Sequence, residues 1–272
     1  MLLQSSNKES ELLMTLLEAE EKWNEDILKI ISLEHNRIIN EEEDFLLLEG
    51  ETLEAVKNFF KKIWEGFTKF LKWAWGEISS VFMKMNNWVK KYKEKIIEGA
   101  KKAAGAGRKV EWKLREDIWN NYLIKAINEV FHLVTIGFQK IAEDPANDFE
   151  KIITDYKDHL SELFTGDKEI THISKINFSI AYVTGNSLSI MKRNCAKFKD
   201  SIKKLESEAM NSIKGTSDEE VKKLVNYRKY ASYLIKFAQL DYSTERKVYL
   251  YHYNFCKTCY NYLEFGSSKP KI

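Results

Sequence analysis

The chain has 272 residues and a formal net charge of +2, from 43 Lys and Arg against 41 Asp and Glu. Its 11 glycines and 2 prolines are few for this length, so we expect an all-α protein. Three cysteines do not make a disulfide framework and indicate a reducing compartment. The chain begins without the basic and apolar regions of a signal peptide, and no apolar run is long enough to cross a bilayer.

The first element is an acidic arm at residues 1–50, predicted to be helical. It holds 4 Lys and Arg against 13 Asp and Glu, whereas residues 51–115 hold 16 against 7. The near-zero net charge of the chain therefore hides an acidic segment directly before a basic one. Either the arm is an ordinary solvated helix, or it pairs with the basic surface that follows it.

Residues 51–100 read as a long, basic, Trp-rich amphipathic helix, or a helical hairpin, because large apolar residues recur every three or four positions. Unbroken, it would extend over roughly 70 Å. Gly76, Ser79 and Ser80 predict a bend near residues 76–80. The apolar face can cover a core of the same chain, a partner or a membrane surface. As an interaction surface it would be formed by Phe60, Trp64, Phe67, Phe70, Leu71, Trp73, Trp75 and Trp88.

Residues 101–110, which include the sequence KKAAGAGR, are predicted to be a linker because small residues and charges favour a solvated, flexible segment. A helical bundle is expected at 111–266, followed by a loose tail at 267–272. The apolar periodicity and the helix-breaking residues place its helices at about 111–143, 148–164, 168–184, 187–214, 217–240 and 243–265.

No motif in the chain carries catalysis or phosphate binding, so we expect no enzyme, no cofactor, no metal and no small-molecule substrate. Cys256 and Cys259 form a CxxC pair to which His252 and Cys195 could add metal ligands, but small half-buried residues in a helix explain the pair more simply. The C-terminal third is rich in tyrosine, and its helical spacing favours a core or an interface over base stacking.

Three pieces of the N-terminal third carry a resemblance: LLEAEEKW at 16–23, FLLLEGETL at 45–53 and NFFKKIWEGFTKFLKWAW at 58–75. Together they resemble helical virion proteins of large tailed phages of low-GC Gram-positive bacteria. The resemblance implies a virion structural component, head-internal or capsid-associated, made in the host cytoplasm. Its partners would be other virion proteins, in a homo-oligomer or multi-copy assembly.

The resemblance also implies a processing site. Prohead proteases of such phages cut after a Glu that has an aliphatic residue two places before it and a small residue after it. Glu49 followed by Gly50 fits, and cutting between them would remove the acidic arm as a propeptide. The same pattern occurs at Glu18, Glu65 and Glu98. Two other functions stay open: a membrane-associated or membrane-perturbing protein that uses helix 56–97, and a nucleic-acid or host-factor binding module.

Overall fold

The structure, a computed structural model, describes residues 53–107, 111–137, 146–166, 168–169, 173–212 and 218–266. Nearly all of them are helical, so the prediction of an all-α protein is confirmed. The acidic arm, the candidate cleavage site at Glu49 and Gly50, and the tail at 267–272 lie outside the described residues.

The N-terminal part consists of α1 (Leu53–Glu77), a π-helical turn (Ile78–Phe82), α2 (Met83–Lys91) and α3 (Lys93–Gly105). The backbone stays helical through the π-helical turn. The interruption after Glu77 falls at the bend predicted for residues 76–80, where the Ser80 hydroxyl donates to the Gly76 carbonyl over 2.6 Å. Tyr92 leaves the helical region at φ −106° and ψ 17°, which separates α2 from α3.

The middle of the chain contains short elements around two helices. They are β1 (Glu111–Trp112), the single turn α4 (Glu116–Ile118), a π-helical turn (Trp119–Leu123), α5 (Ile124–Gly137), α6 (Ala146–Glu162) and β2 (Lys168–Glu169). Glu111 pairs antiparallel with Glu169, and Trp112 with Lys168. The helix expected at 111–143 therefore begins later than predicted, because its first residues pair as a strand.

The C-terminal part consists of α7 (Ile173–Thr184), α8 (Ser187–Ser212) and the 48-residue α9 (Asp218–Phe265). At 1.5 Å per residue, α9 extends over about 70 Å. We expected a break between Leu240 and Ser243, and this is wrong. The hydroxyl of Thr244 donates to the Leu240 carbonyl over 2.8 Å, so it bonds within the helix instead of capping a new one.

One hydrophobic core joins the N-terminal helices to α9, which corrects the expected division into a long helix, a linker and a separate bundle. Residues 101–105 of the expected linker form the last turn of α3. Further evidence for one body is the close approach of α3 and α9, because a Cβ atom on Gly99 would overlap the Cys259 carbonyl oxygen. Gly107, at φ 64°, then turns the chain away from α3.

Candidate functional site

The structure places the aromatic residues that we predicted to form an interaction surface mainly in the core. Trp64 and Trp75 are half-buried. The other six are buried, with at most 8% of their surface exposed: Phe60, Phe67, Phe70, Leu71, Trp73 and Trp88. These six side chains are therefore not exposed as an interaction surface, and of the alternatives for this face the core of the same chain applies to them. The apolar stripe of α1 and α2 covers the core of its own chain.

A row of tyrosines on α9 provides the cover for this stripe. Ring contacts follow the two segments in the same direction along the chain, with centroids 4.7 to 5.6 Å apart: Trp73 with Tyr242, Phe82 with Tyr249, Trp88 with Tyr253 and Tyr92 with Tyr260. The N-terminal helices therefore run parallel to α9. The prediction that the tyrosines pack a core is confirmed for the seven buried ones, which include Tyr227, Tyr230 and Tyr233.

Buried tyrosine hydroxyls need acceptors, and here the N-terminal helices supply them. The Tyr242 hydroxyl lies 2.7 Å from a carboxylate oxygen of Glu77 and 3.2 Å from the Ala74 carbonyl. The Tyr249 hydroxyl lies 3.1 Å from the carbonyl of Phe82, the last residue of the first π-helical turn. The parallel packing is thus fixed by directional bonds as well as by ring contacts.

A buried ion pair lies in the same interface. The Arg246 Nε donates to the Glu77 carboxylate over 2.8 Å, and the two side chains are 8% and 0% exposed. Glu77 is the last residue of α1, directly before the π-helical turn. Removing one partner of a buried pair leaves an uncompensated charge, which typically costs about 3–5 kcal/mol. The pair therefore ties the end of α1 to one position on α9.

A second buried polar group consists of two carboxylates, Asp241 and Glu245, one turn apart on α9 and both in reach of Asn194 on α8. The Asn194 amide nitrogen lies 3.1 Å from Glu245 and 3.4 Å from Asp241. Burial raises the pKa of Asp241 to about 7. Burial, and then the charge of Asp241, raises the pKa of Glu245 well above its ordinary value. Both acids therefore hold their protons to a higher pH than an exposed carboxyl group does.

The CxxC cysteines are free, buried thiols, as is Cys195. Burial raises the pKa of Cys256 and raises that of Cys259 to about 12, whereas redox and metal chemistry need the thiolate. His252 is also buried, with Nδ1 3.0 Å from the Ser179 hydroxyl, and burial lowers its pKa to about 3. Within the described ranges, no three His, Cys, Asp or Glu side chains come together as a metal-binding group.

What α1 to α3 present to solvent is a strongly basic surface, which we call the basic face. Its described residues include three exposed glutamates, Glu65, Glu94 and Glu98. Against these stand eleven exposed lysines: Lys61, Lys62, Lys69, Lys72, Lys84, Lys90, Lys91, Lys93, Lys95, Lys101 and Lys102. The basic charge continues onto α8, where Lys203 Nζ lies 5.5 Å from the ring centroid of Trp64.

Sequence reasoning missed the buried charges of α9. The signal was available, because Asp241, Glu245 and Arg246 stand among apolar and aromatic residues with no solvent-facing pattern of their own. We placed a helix break at this point, which assigned these charges to a loop. In the structure α9 is continuous through this point, and these charges lie on its buried side.

No family model, no curated protein and no solved structure matches the chain. In the part of the chain that the structure describes, no helix combines the length and the apolar content that a bilayer crossing requires.

Proposed function

We propose that this protein is a non-enzymatic structural component of a tailed-phage virion, head-internal or capsid-associated, and that it acts through helical contacts with other virion proteins in a multi-copy assembly. The resemblance of the N-terminal third supports the class. The single structural observation that carries the proposal is that the aromatic stripe of α1 and α2 is buried against α9. Because α9 covers it, the outward contacts of α1 to α3 pass through charged side chains on a helical base.

Mass spectrometry of purified particles tests this proposal. Peptides from residues 53–266 are expected in gradient-purified virions, in an amount that follows the major capsid protein across the gradient. An abundant host cytoplasmic protein serves as the control for contamination. Absence from virions of the source phage, or a gradient profile that follows the host protein, would refute the proposal.

The same data test the processing that the resemblance implies. Cleavage after Glu49 would give a semi-specific peptide that begins at Gly50, together with the loss of peptides from residues 1–49. Because those residues carry 13 acidic side chains against 4 basic ones, cleavage would leave the basic chain without its acidic arm. Intact N-terminal peptides in mature particles would contradict the cleavage without affecting the structural role.

The membrane-associated alternative ranks below the virion proposal. It needs the apolar face of residues 56–97 to point outward, and the inward position of Phe67, Phe70 and Trp88 counts against it. Met83 is the one large hydrophobic residue of α1 to α3 recorded as exposed among the described residues, at 42%. Co-sedimentation with vesicles at physiological salt is expected to leave the protein in the supernatant. Salt-resistant binding would reverse this ranking.

A further inference from the structure

We propose that the basic face of α1 to α3 is a docking surface for the phosphate backbone of double-stranded DNA. The inference goes beyond the structural role, because a virion component need not contact DNA. Three features support it: the distribution of charge over the described surface, the packing of α1 and α2 on α9, and the scarcity of arginine and exposed rings on this face.

The positive charge is concentrated on α1 to α3 and continues onto α8, whereas α6 is more acidic. The basic face exposes eleven lysines and three glutamates among its described residues. By contrast, α6 exposes Lys151 and Lys157 next to four acids: Glu150, Asp155, Asp158 and Glu162. An unbalanced positive field attracts a polyanion, and counterions released from DNA make such contacts favourable at low salt.

The lysines of the basic face differ in their partners among the described residues. Lys95 pairs with Glu264 over 2.8 Å, and Lys102 donates to the Leu263 carbonyl over 3.0 Å. Lys69, Lys72 and Lys84 form no ion pair with another residue in the described part of the chain, and Lys90 likewise forms none there. No carboxylate among the described residues therefore forms an ion pair with these four lysines.

The helices beneath the lysines pack against α9, and α1 has a suitable length. The opposite side of α1 and α2 is held against α9 by ring contacts such as Trp73 with Tyr242 and by the buried Glu77–Arg246 pair. The 25 residues of α1 extend over about 37 Å, close to one turn of B-DNA at about 34 Å. A row of lysines on these helices can reach successive phosphates without ordering the backbone first.

The residue types favour the duplex over other polyanions. Residues 53–107 contain no arginine, which base readout in the major groove commonly uses. Single strands are usually held by bases stacked on exposed rings, and the rings of α1 and α2 whose exposure the structure describes are buried or half-buried. Interfacial membrane binding needs apolar residues beside the lysines, and the large apolar side chains that the structure describes in α1 to α3, apart from Met83, are buried or half-buried. Lysines alone suit sequence-independent phosphate contacts.

The test is fluorescence anisotropy of the full chain with a fluorescein-labelled 30-base-pair duplex of arbitrary sequence, from 50 to 300 mM KCl. We expect saturable binding at 50 mM KCl that weakens steeply with salt. Each phosphate that a lysine neutralises contributes about −0.9 to the slope of log K against log salt concentration. Five contacts would therefore give a slope of about −4.5.

The decisive variant is K69Q/K72Q/K84Q/K90Q, and the matched control is K125Q/K151Q/K157Q/K222Q, which removes four exposed lysines from other elements. We expect the first to bind at least tenfold more weakly at 50 mM KCl and to flatten the salt slope by about 3 to 4. The control should stay within about threefold of the parent, since long-range charge alone changes. Circular dichroism verifies that both variants are folded.

Three results would overturn the proposal. Absence of binding at 50 mM KCl would do so, and would leave the acidic residues 1–50, with their net charge of −9, as the occupant of the face. Equal weakening in both variants would show a non-local charge effect. Binding to vesicles of anionic phospholipid without binding to the duplex would assign the face to a membrane surface instead.

Discussion

Two glycines inside helices allow one substitution to be tested in two opposite environments. Gly76 lies in α1, and a Cβ atom built there has no heavy atom within 4 Å apart from its own helix. Gly99 lies in α3, where a Cβ atom would overlap the Cys259 carbonyl oxygen of α9 and lie 3.2 Å from the Leu263 Cβ. The chemistry of Gly→Ala is identical at the two positions, so the difference between them measures the contact of α3 with α9.

The expected magnitudes follow from two effects. Ala is favoured over Gly in a helix interior by about 1 kcal/mol, which both variants gain. G76A should therefore be stabilised by about 1 kcal/mol. In G99A the two helices must separate, because the atom in the way belongs to the backbone and cannot rotate aside. Overpacking of this kind costs about 3 kcal/mol, which leaves a net loss of about 2 kcal/mol.

Urea unfolding of both variants, followed by circular dichroism, measures the free-energy difference of about 3 kcal/mol between them. In thermal unfolding, G99A should melt about 4–8 °C below the parent and G76A about 2–4 °C above it. If G99A is as stable as G76A, α3 does not pack backbone to backbone on α9, and the single core described above is wrong. A change in the urea m-value would instead indicate a different unfolded or native state.

Other predictions concern the buried polar groups. In R246M the free energy of unfolding should fall by about 3–5 kcal/mol, because Glu77 stays buried without its cation. The double variant E77M/R246M should recover most of this loss. Equal losses in the two variants would contradict the pairing. Because burial raises the pKa of Asp241, the folded protein keeps a proton that the unfolded chain releases, so stability should fall as pH rises from about 4 to about 7. D241N should flatten this decline in urea titrations, whereas D200N, an exposed acid on α8, should not. An Ellman titration should find the cysteines unreactive over minutes in the native protein, since they are buried and burial raises the pKa of Cys256 and Cys259. In guanidinium it should find three reactive thiols. Rapid reaction of the native protein would place a thiol at the surface.

The fold class could be predicted because helix formation leaves a local signal in the sequence. A scarcity of Gly and Pro, and apolar residues every three or four positions, are read within one window of residues. The π-helical turn after Glu77 falls where the sequence predicts a bend, since Gly76 and Ser80 both act locally. The continuity of α9 was missed because Ser243 and Thr244 have the same side chains whether they cap a helix or bond back to a preceding carbonyl, as Thr244 does.

The candidate site could not be predicted in the same way, because periodicity shows that a face is covered without showing what covers it. The stripe of α1 and α2 and the tyrosines of α9 are separated by about 165 residues in the chain, and no local rule pairs them. A comparison of spacings would have helped. Tyr242, Tyr249, Tyr253 and Tyr260 follow intervals of seven, four and seven residues, which is the spacing of a helix that packs along another helix.

Regular spacing alone would allow more than one alignment of α1 and α2 along α9, and the buried charges select among these alignments. After a shift of seven residues along α9, Trp73 would face Tyr249 and Trp88 would face Tyr260, so these two rings would still pack on rings. In the observed register Glu77 lies against Arg246, and Tyr242 donates to the same carboxylate. A shift of seven along α9 would bring Gln239 or Tyr253 to the position of Arg246 and bury the carboxylate without its cation. The aromatic rows therefore supply the apolar burial that stabilises the interface, and the ion pair selects one alignment of α1 on α9, which in turn fixes where the lysines of the basic face lie.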